Sequence, residues 1–225
     1  MKVSEILPRG WADLLDPKYP RIGIGFDVAT TAKKTSNPSA LAVVQQVERM
    51  MFARLVLRWK SKDPQIAEAL FGQILDAVAG KFAVRAAIDA SSEKFFAVDF
   101  RRKFAGRCSV RLFVASEAVQ YKGERMIQKT YAGNLLCNQA EDGLLALPAE
   151  AFIRNDFRLV VRDRGTFDAD VDENGGHADT FDAVKLALVC LLSKGGPVEA
   201  AAAGNGGYRA RCGSLSGQRF PRMMA

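Results

Sequence analysis

Four aspartates stand where their type and spacing could do chemistry. Asp27 ends the apolar run "RIGIGFD" and Asp89 ends "FAVRAAID", each followed at once by small and polar residues. Asp179 and Asp182 open the apolar stretch "DTFDAVKLALVCLL" three residues apart. Acids in a helix's first turn have an ordinary role: they complement the macrodipole and cap free amides, worth ~0.3–1 kcal/mol. An acid that ends a strand is likewise a common turn former. Taken together, these acids suggest more. If the Asp27 and Asp89 strands are parallel neighbours, their ends lie ~5 Å apart, on the edge where open α/β sheets hold their ligands. A helix packed on the same sheet could point Asp179 there too. Carboxylates that close repel one another unless protons or cations neutralise them. Oxygen-only donors select Mg²⁺ or Mn²⁺ over zinc. Such a cluster suits two-metal hydrolysis of a phosphodiester, one ion activating water and the other stabilising the leaving oxygen.

The rest of the chain excludes several other chemistries. His177 is the one histidine, so there is no HExxH zinc site and no multi-histidine cage. No GxSxG elbow accompanies it. No phosphate loop is present, since Gly80-Lys81 is followed by Phe82. The cysteines, Cys108, Cys137, Cys190 and Cys212, are scattered without a CxxC pair and read as reduced thiols of a cytoplasmic protein. No apolar run reaches the ~20 residues of a membrane span, and the amino terminus lacks a signal-peptide core. The net charge of +7 is uneven: Arg209, Arg211, Arg219 and Arg222 lie where no acid follows Glu199, and without those four the rest carries +3. A polyanionic partner fits this balance, but charge alone does not establish one.

The elements that must position the acids follow from periodicity. Residues 1–20, punctuated by Pro8, Pro17 and Pro20, read as a linker or lead-in. An apolar strand ends at Asp27, and a second covers about 40–47. A third, "FARLVLRWK", alternates Ala53, Leu55, Leu57 and Trp59 against Arg54 and Arg58, as an antiparallel strand with one wet face does. "DPQIAEALFGQILDAV" switches to helical period, with Asp63 as cap and Pro64 in first position. A strand ending at Asp89, a helix near 92–104, the strand "SVRLFVA" and a longer mixed helix over roughly 122–140 come next. "LLALP" reads as a short strand or turn, "FRLVVRD" and "TFDADV" as a hairpin, and the Asp179 helix closes the series. From residue 194 the chain is Gly/Ala-rich, basic and aperiodic, which predicts a disordered tail. Three antiparallel strands followed by alternating helices and strands indicate an α/β domain with a mixed sheet flanked by helices. Right-handed crossovers place the Asp89 strand beside the first.

"GIGFDVATT…NPSALAVV", "AAIDASS" and "FDADVDENGGHADTFDAVKLAL" together resemble the RNase H-like nuclease domain of phage large terminase subunits, in particular those of Mu-like phages and prophages. The likeness runs over residues 21–192, and its last piece is the most specific. It implies an RNase H-like nuclease domain over residues 21–193, working in the bacterial host cytoplasm. The implied activity is a Mg²⁺- or Mn²⁺-dependent endonuclease, with two ions, that cuts concatemeric or integrated phage DNA during packaging. Asp27 matches the first-strand ligand, Asp89 the acid shared by both ions, and Asp179 the helix-borne ligand, with Asp182 in reserve for that third role. Implied partners are double-stranded DNA, an ATPase domain or motor subunit, a small terminase and a portal protein. Complete terminases carry an ATPase motor that has no counterpart here. Two other readings stay open: a junction resolvase with similar acids, and an inactive docking domain of a packaging motor.

Further residues take roles only on the nuclease reading. Lys122, Arg125 and Lys129 on one helix face, and Arg158, Arg162 and Arg164 on the hairpin, become phosphate contacts that position DNA without reading sequence. His177 becomes a turn residue able to touch a phosphate or outer-shell water. "DVDENGG" imitates part of a calcium loop, but the required glutamate falls on Phe181. Phe95, Phe96 and Phe100, at helical spacing, are expected in the core.

Overall fold

A computed structural model describes residues 1–29, 38–163, 166–169 and 177–193. Arg164, the acidic turn over 170–175 and the expected tail from 194 lie outside the described residues. The centre is a six-stranded sheet in the order β5 (Ser109–Phe113), β4 (Ala83–Asp89), β1 (Arg21–Asp27), β2 (Ser39–Val47), β3 (Met50–Trp59), β8 (Leu145–Ala146). Strand β2 lies between β1 and β3 and pairs antiparallel to each. Strands β4 and β5 add in parallel on the other side of β1. The two-residue β8 pairs parallel to β3. The expected mixed sheet is therefore present, with β4 beside β1.

Helices cover both faces. On one lie α2 (Pro64–Val78) and α3 (Lys94–Phe104), packed on Ile22, Ile24, Phe26, Leu41, Val43 and Ile88. Asp63 caps α2 as its sequence predicts, accepting from the Gln65 amide at 2.9 Å. Phe26, Phe71 and Phe100 interlock there, with ring centroids 5.4 Å and 4.7 Å apart. On the other face lies α6 (Asp179–Leu192), in which only Asp182 and Leu192 are not buried. It is sandwiched between the sheet and two outer helices, α4 (Gln128–Glu141) and α5 (Ala151–Arg158).

Glycines in β1 let α6 lie directly on the strand. A Cβ on Gly25 would stand 1.9 Å from the Ala183 carbonyl, and one on Gly23 2.3 Å from that of Ala187. No side chain larger than hydrogen fits between strand and helix at this distance.

Several expectations are corrected. Residues 1–20 are not a bare lead-in: α1 (Val3–Ile6) and a 3₁₀ turn (Trp11–Leu14) pack on the body, with Trp11 and Leu15 in the core. Gln45 ties this segment down through the carbonyls of Asp16 and Tyr19, at 2.7 and 2.9 Å. The segment over 122–140 is not one helix. It begins as a hairpin, β6 (Ala118–Tyr121) and β7 (Glu124–Ile127), and only then enters α4. Lys122 and Gly123 form the turn with φ of 52° and 88°, the paired positive values that a tight hairpin requires. β3 has no wet face: a register shift opposite Val43/Val44 turns Ala53 to the α6 side, while Leu55, Leu57 and Trp59 face α2 and α3. Phe95 is 91 % exposed, whereas Phe100 is in the core and Phe96 packs at its edge.

Candidate active site

Strand alternation decides which way the acids point. Ile22, Ile24 and Phe26 face α2 and α3, so Asp27, one residue on, faces α6. On β4, Ile88 shares the first face and Ala87 the second, so Asp89 also looks toward α6. The last paired rung is Phe26 with Ile88, and the two aspartates stand one residue beyond it, side by side at the carboxyl edge.

The helix runs back along β1. Arg21 Nη2 donates to the Leu191 carbonyl at 2.8 Å, Gly23 meets Ala187, and Gly25 meets Ala183. Two strand residues rise ~6.6 Å and four helical residues ~6 Å, so the next step of this register sets Asp179 over Asp27. Asp182, three residues on, shares that end of the helix.

The electrostatics report the convergence. Burial holds the Asp27 carboxyl well above the usual carboxylate range, and repulsion from Asp182, Asp89 and Asp179 adds to it, while Lys185 acts the other way. Asp179 is 2 % exposed and is pushed up to about 7, first by burial and then by Asp156 and Asp182. Arg58 and the His177 backbone amide lower it again. Asp179 Oδ2 is buried without a hydrogen-bond partner. Asp89 is half-buried and takes the Ser91 amide on Oδ1 at 2.7 Å. Asp182 is bonded by Lys185 Nζ, whose side chain is itself buried. An orphaned, buried carboxylate oxygen with other carboxylates within electrostatic reach is donor chemistry suited to a hard divalent cation. As the side chains stand, no three His, Cys, Asp or Glu groups among the described residues come close enough to hold one ion.

The expected DNA-facing residues are dispersed. Lys122 sits in the β6–β7 turn, Arg125 on β7 and Lys129 at the start of α4, so they share no helix face. Lys129 pairs with Asp168 at 2.6 Å, joining α4 to the second hairpin, β9 (Val160–Asp163) and β10 (Thr166–Ala169). Arg158 ends α5 rather than lying on that hairpin, and Arg162 is on β9 with its guanidinium 5.7 Å from the Phe167 ring centroid. His177 is half-buried and meets the site through its backbone.

Sequence reasoning missed three residues at this site. Arg58 and Asp156 form a 2.6 Å ion pair across 98 positions of sequence, with Asp156 1 % exposed. No sequence pattern links them. Lys185 was readable, since it stands three residues after Asp182 on the same helix.

No protein-family profile matches the sequence, and no curated protein is significantly similar to it. Solved structures do match in fold. The nuclease domain of the human cytomegalovirus terminase superposes with a TM-score of 0.52 at 14% identity, covering 83% of this chain and 91% of that one. The same domain soaked with Mn and with an inhibitor bound gives 0.50 at 13%, over 76% and 83%. The large terminase of a thermophilic bacteriophage gives 0.52 at 13%, over 81% of this chain, which spans 45% of that protein's length. The chain thus has the RNase H-like fold of terminase nuclease domains, with Asp27 and Asp89 ending two adjacent central strands and Asp179 and Asp182 in the first turn of the helix laid over them.

Proposed function

We propose that the protein is a divalent-metal-dependent DNA endonuclease of a phage packaging system, acting by phosphodiester hydrolysis. The observation that carries this reading is geometric: Asp27 and Asp89 end adjacent parallel strands one residue beyond their last rung, and the register of α6 along β1 brings its Asp179 end to the same edge. Buried like charges are costly unless something positive joins them. Asp27, Asp89 and Asp179 are the residues that would hold the metal, with Asp182 as an alternative to Asp179. Mg²⁺ or Mn²⁺, as a pair of ions, would supply an activated water and neutralise the leaving oxygen. The chain's own contribution is to fix the carboxylates on two adjacent strands and one helix. Lys185 holds Asp182, and Lys122, Arg125, Arg158 and Arg162 are candidates to contact backbone phosphates of double-stranded DNA. An ATPase domain or motor subunit, a small terminase and a portal protein are the proposed partners, in the host cytoplasm. Among the described residues no helix is long and apolar enough to cross a membrane.

The decisive test is plasmid digestion with Mg²⁺, Mn²⁺, Ca²⁺ or chelator, run on the parent, Asp27→Ala and Asp89→Asn. The parent should nick and linearise plasmid with Mg²⁺ or Mn²⁺ only, and both variants should fold but not cut. An Asp89→Asn protein that cuts like the parent removes Asp89 from the mechanism. One rival is an inactive docking domain of a packaging motor. A melting temperature unchanged by Mn²⁺, with no nicking, would establish that rival.

A further inference from the structure

The row of residues that carries Asp27 continues across the sheet to a second charged group. Asp27 pairs with Ala40 on β2, and Ala40 pairs with Arg58 on β3. Directly opposed residues share a face, so Asp89, Asp27, Ala40 and Arg58 form one line on the α6 side. Arg58 then reaches out of the sheet to Asp156 on α5, donating from Nη1 to Oδ1 at 2.6 Å. The other oxygen of Asp156 accepts two bonds from Thr180, the backbone amide at 3.1 Å and the hydroxyl at 2.8 Å. Thr180 is the second residue of α6, next to Asp179.

Helix α6 has no cap of its own. Its N-cap residue is Ala178, which offers no side-chain acceptor, and the first amides of a helix need partners from elsewhere. Asp156, 24 residues upstream, supplies one. Both of its oxygens are engaged and the side chain is 1 % exposed, so Asp156 is closed to an incoming ion. A buried ion pair is a poor device for stability alone, because an apolar pair of similar volume often serves as well or better. What it provides is direction: three bonds at fixed angles set the rotation and height of the first turn of α6.

We infer that Arg58 and Asp156 are positioning residues that lock the start of α6 to the sheet row bearing Asp27, so that Asp179 faces Asp27 and Asp89. The circuit is closed: Asp27, Ala40 and Arg58 along the sheet, Asp156 and Thr180 through the helices, and Asp179 back to Asp27. This rests on the nuclease reading above, in which those acids hold a divalent ion.

The test uses the full chain and four variants: the apolar double replacement Arg58→Met/Asp156→Leu, Asp156→Asn, Thr180→Val and Thr180→Ser. Each is measured for melting, for amide exchange at Thr180 and Asp182 without metal, for Mn²⁺ affinity by calorimetry, and for plasmid nicking. The double variant should stay folded and melt near the parent, yet lose protection at the first turn of α6. Its Mn²⁺ affinity should fall by about 10–100-fold, the usual penalty for removing a group that orients a ligand. Thr180→Ser should restore what Thr180→Val loses, and Asp156→Asn, which keeps an acceptor, should lie between. If the double variant does not fold, the Val/Ser comparison at 180 decides the matter alone. Parent-like affinity and exchange in the double variant, or in Thr180→Val, would overturn the inference and leave the nuclease reading standing. A parent that neither binds Mn²⁺ nor nicks DNA would remove both.

Discussion

Replacing Asp179 by Asn should make the metal-free protein more stable at high pH, although the side chain is buried at the proposed catalytic centre. The Asp179 carboxyl is raised from 3.8 to about 7, so the fold prefers its protonated form. A raised folded-state value stabilises fully at pH below the unfolded value and loses that contribution as pH climbs through about 7. The gap from 3.8 to about 7, at about 1.4 kcal/mol per pH unit, comes to on the order of 4 kcal/mol. Water reaches the cluster past Asp182, whose side chain is 40 % exposed, and screening there brings the measurable part nearer ~2 kcal/mol. Asparagine keeps the shape and never ionises. Urea unfolding in chelator at half-unit steps from pH 4.5 to 8.5 reads the effect directly. Parent and variant should coincide near the acid end and diverge as pH rises, with the variant the more stable by about 2 kcal/mol at pH 8. A smaller slope should survive in the variant, because Asp27 is raised as well. If the parent's stability were flat from pH 5 to 8, or the variant were the weaker at pH 8, the crowding of acids at this edge would be wrong. With Mn²⁺ present the order should reverse, a trade of stability for activity that catalytic sites often show.

The remaining expectations are simpler to check. Gly25→Ala inserts a methyl 1.9 Å from the Ala183 carbonyl, so α6 must lift from β1; a loss of about 1–3 kcal/mol or more by denaturant titration is expected, with Mn²⁺ binding lost even in molecules that fold. Asp63→Ala removes the α2 cap bond to Gln65 and should lower stability by ~1 kcal/mol while nicking per folded molecule stays at the parental rate. Truncation after Gly195 should leave Mn²⁺ affinity intact and weaken DNA binding in low salt, with a shallower salt dependence by gel shift.

The chain's own periodicities made much of the scaffold legible. The apolar run of β1, the Asp63-Pro64 start of α2 and the apolar length of α6 each announced an element, because local pattern and final environment agree there. The same local signals placed Asp27 and Asp89 at strand ends and Asp179 at a helix start. Helix α5 leaves no clear mark in the sequence, because eight residues give too short a window for a helical period and its last two belong to the strand-like pattern of "FRLVVRD". The β6–β7 hairpin has one readable sign, the glycine of Lys122-Gly123, which a helical reading of 122–140 passes over.

What local pattern could not contain was decided by packing. Whether β3 had a wet face depended on a register shift and on α6 arriving from more than a hundred residues away. Sequence determined that four acids would sit at element ends; the glycine contacts of β1 with α6 determined that those ends meet. The partnership of Arg58, Asp156 and Thr180 exists only once three separate elements are stacked. Periodicity is a property of neighbours along the chain, whereas the energy of a buried charge depends on everything around it in space, and that is why the acids could be read early and their setting only from the fold.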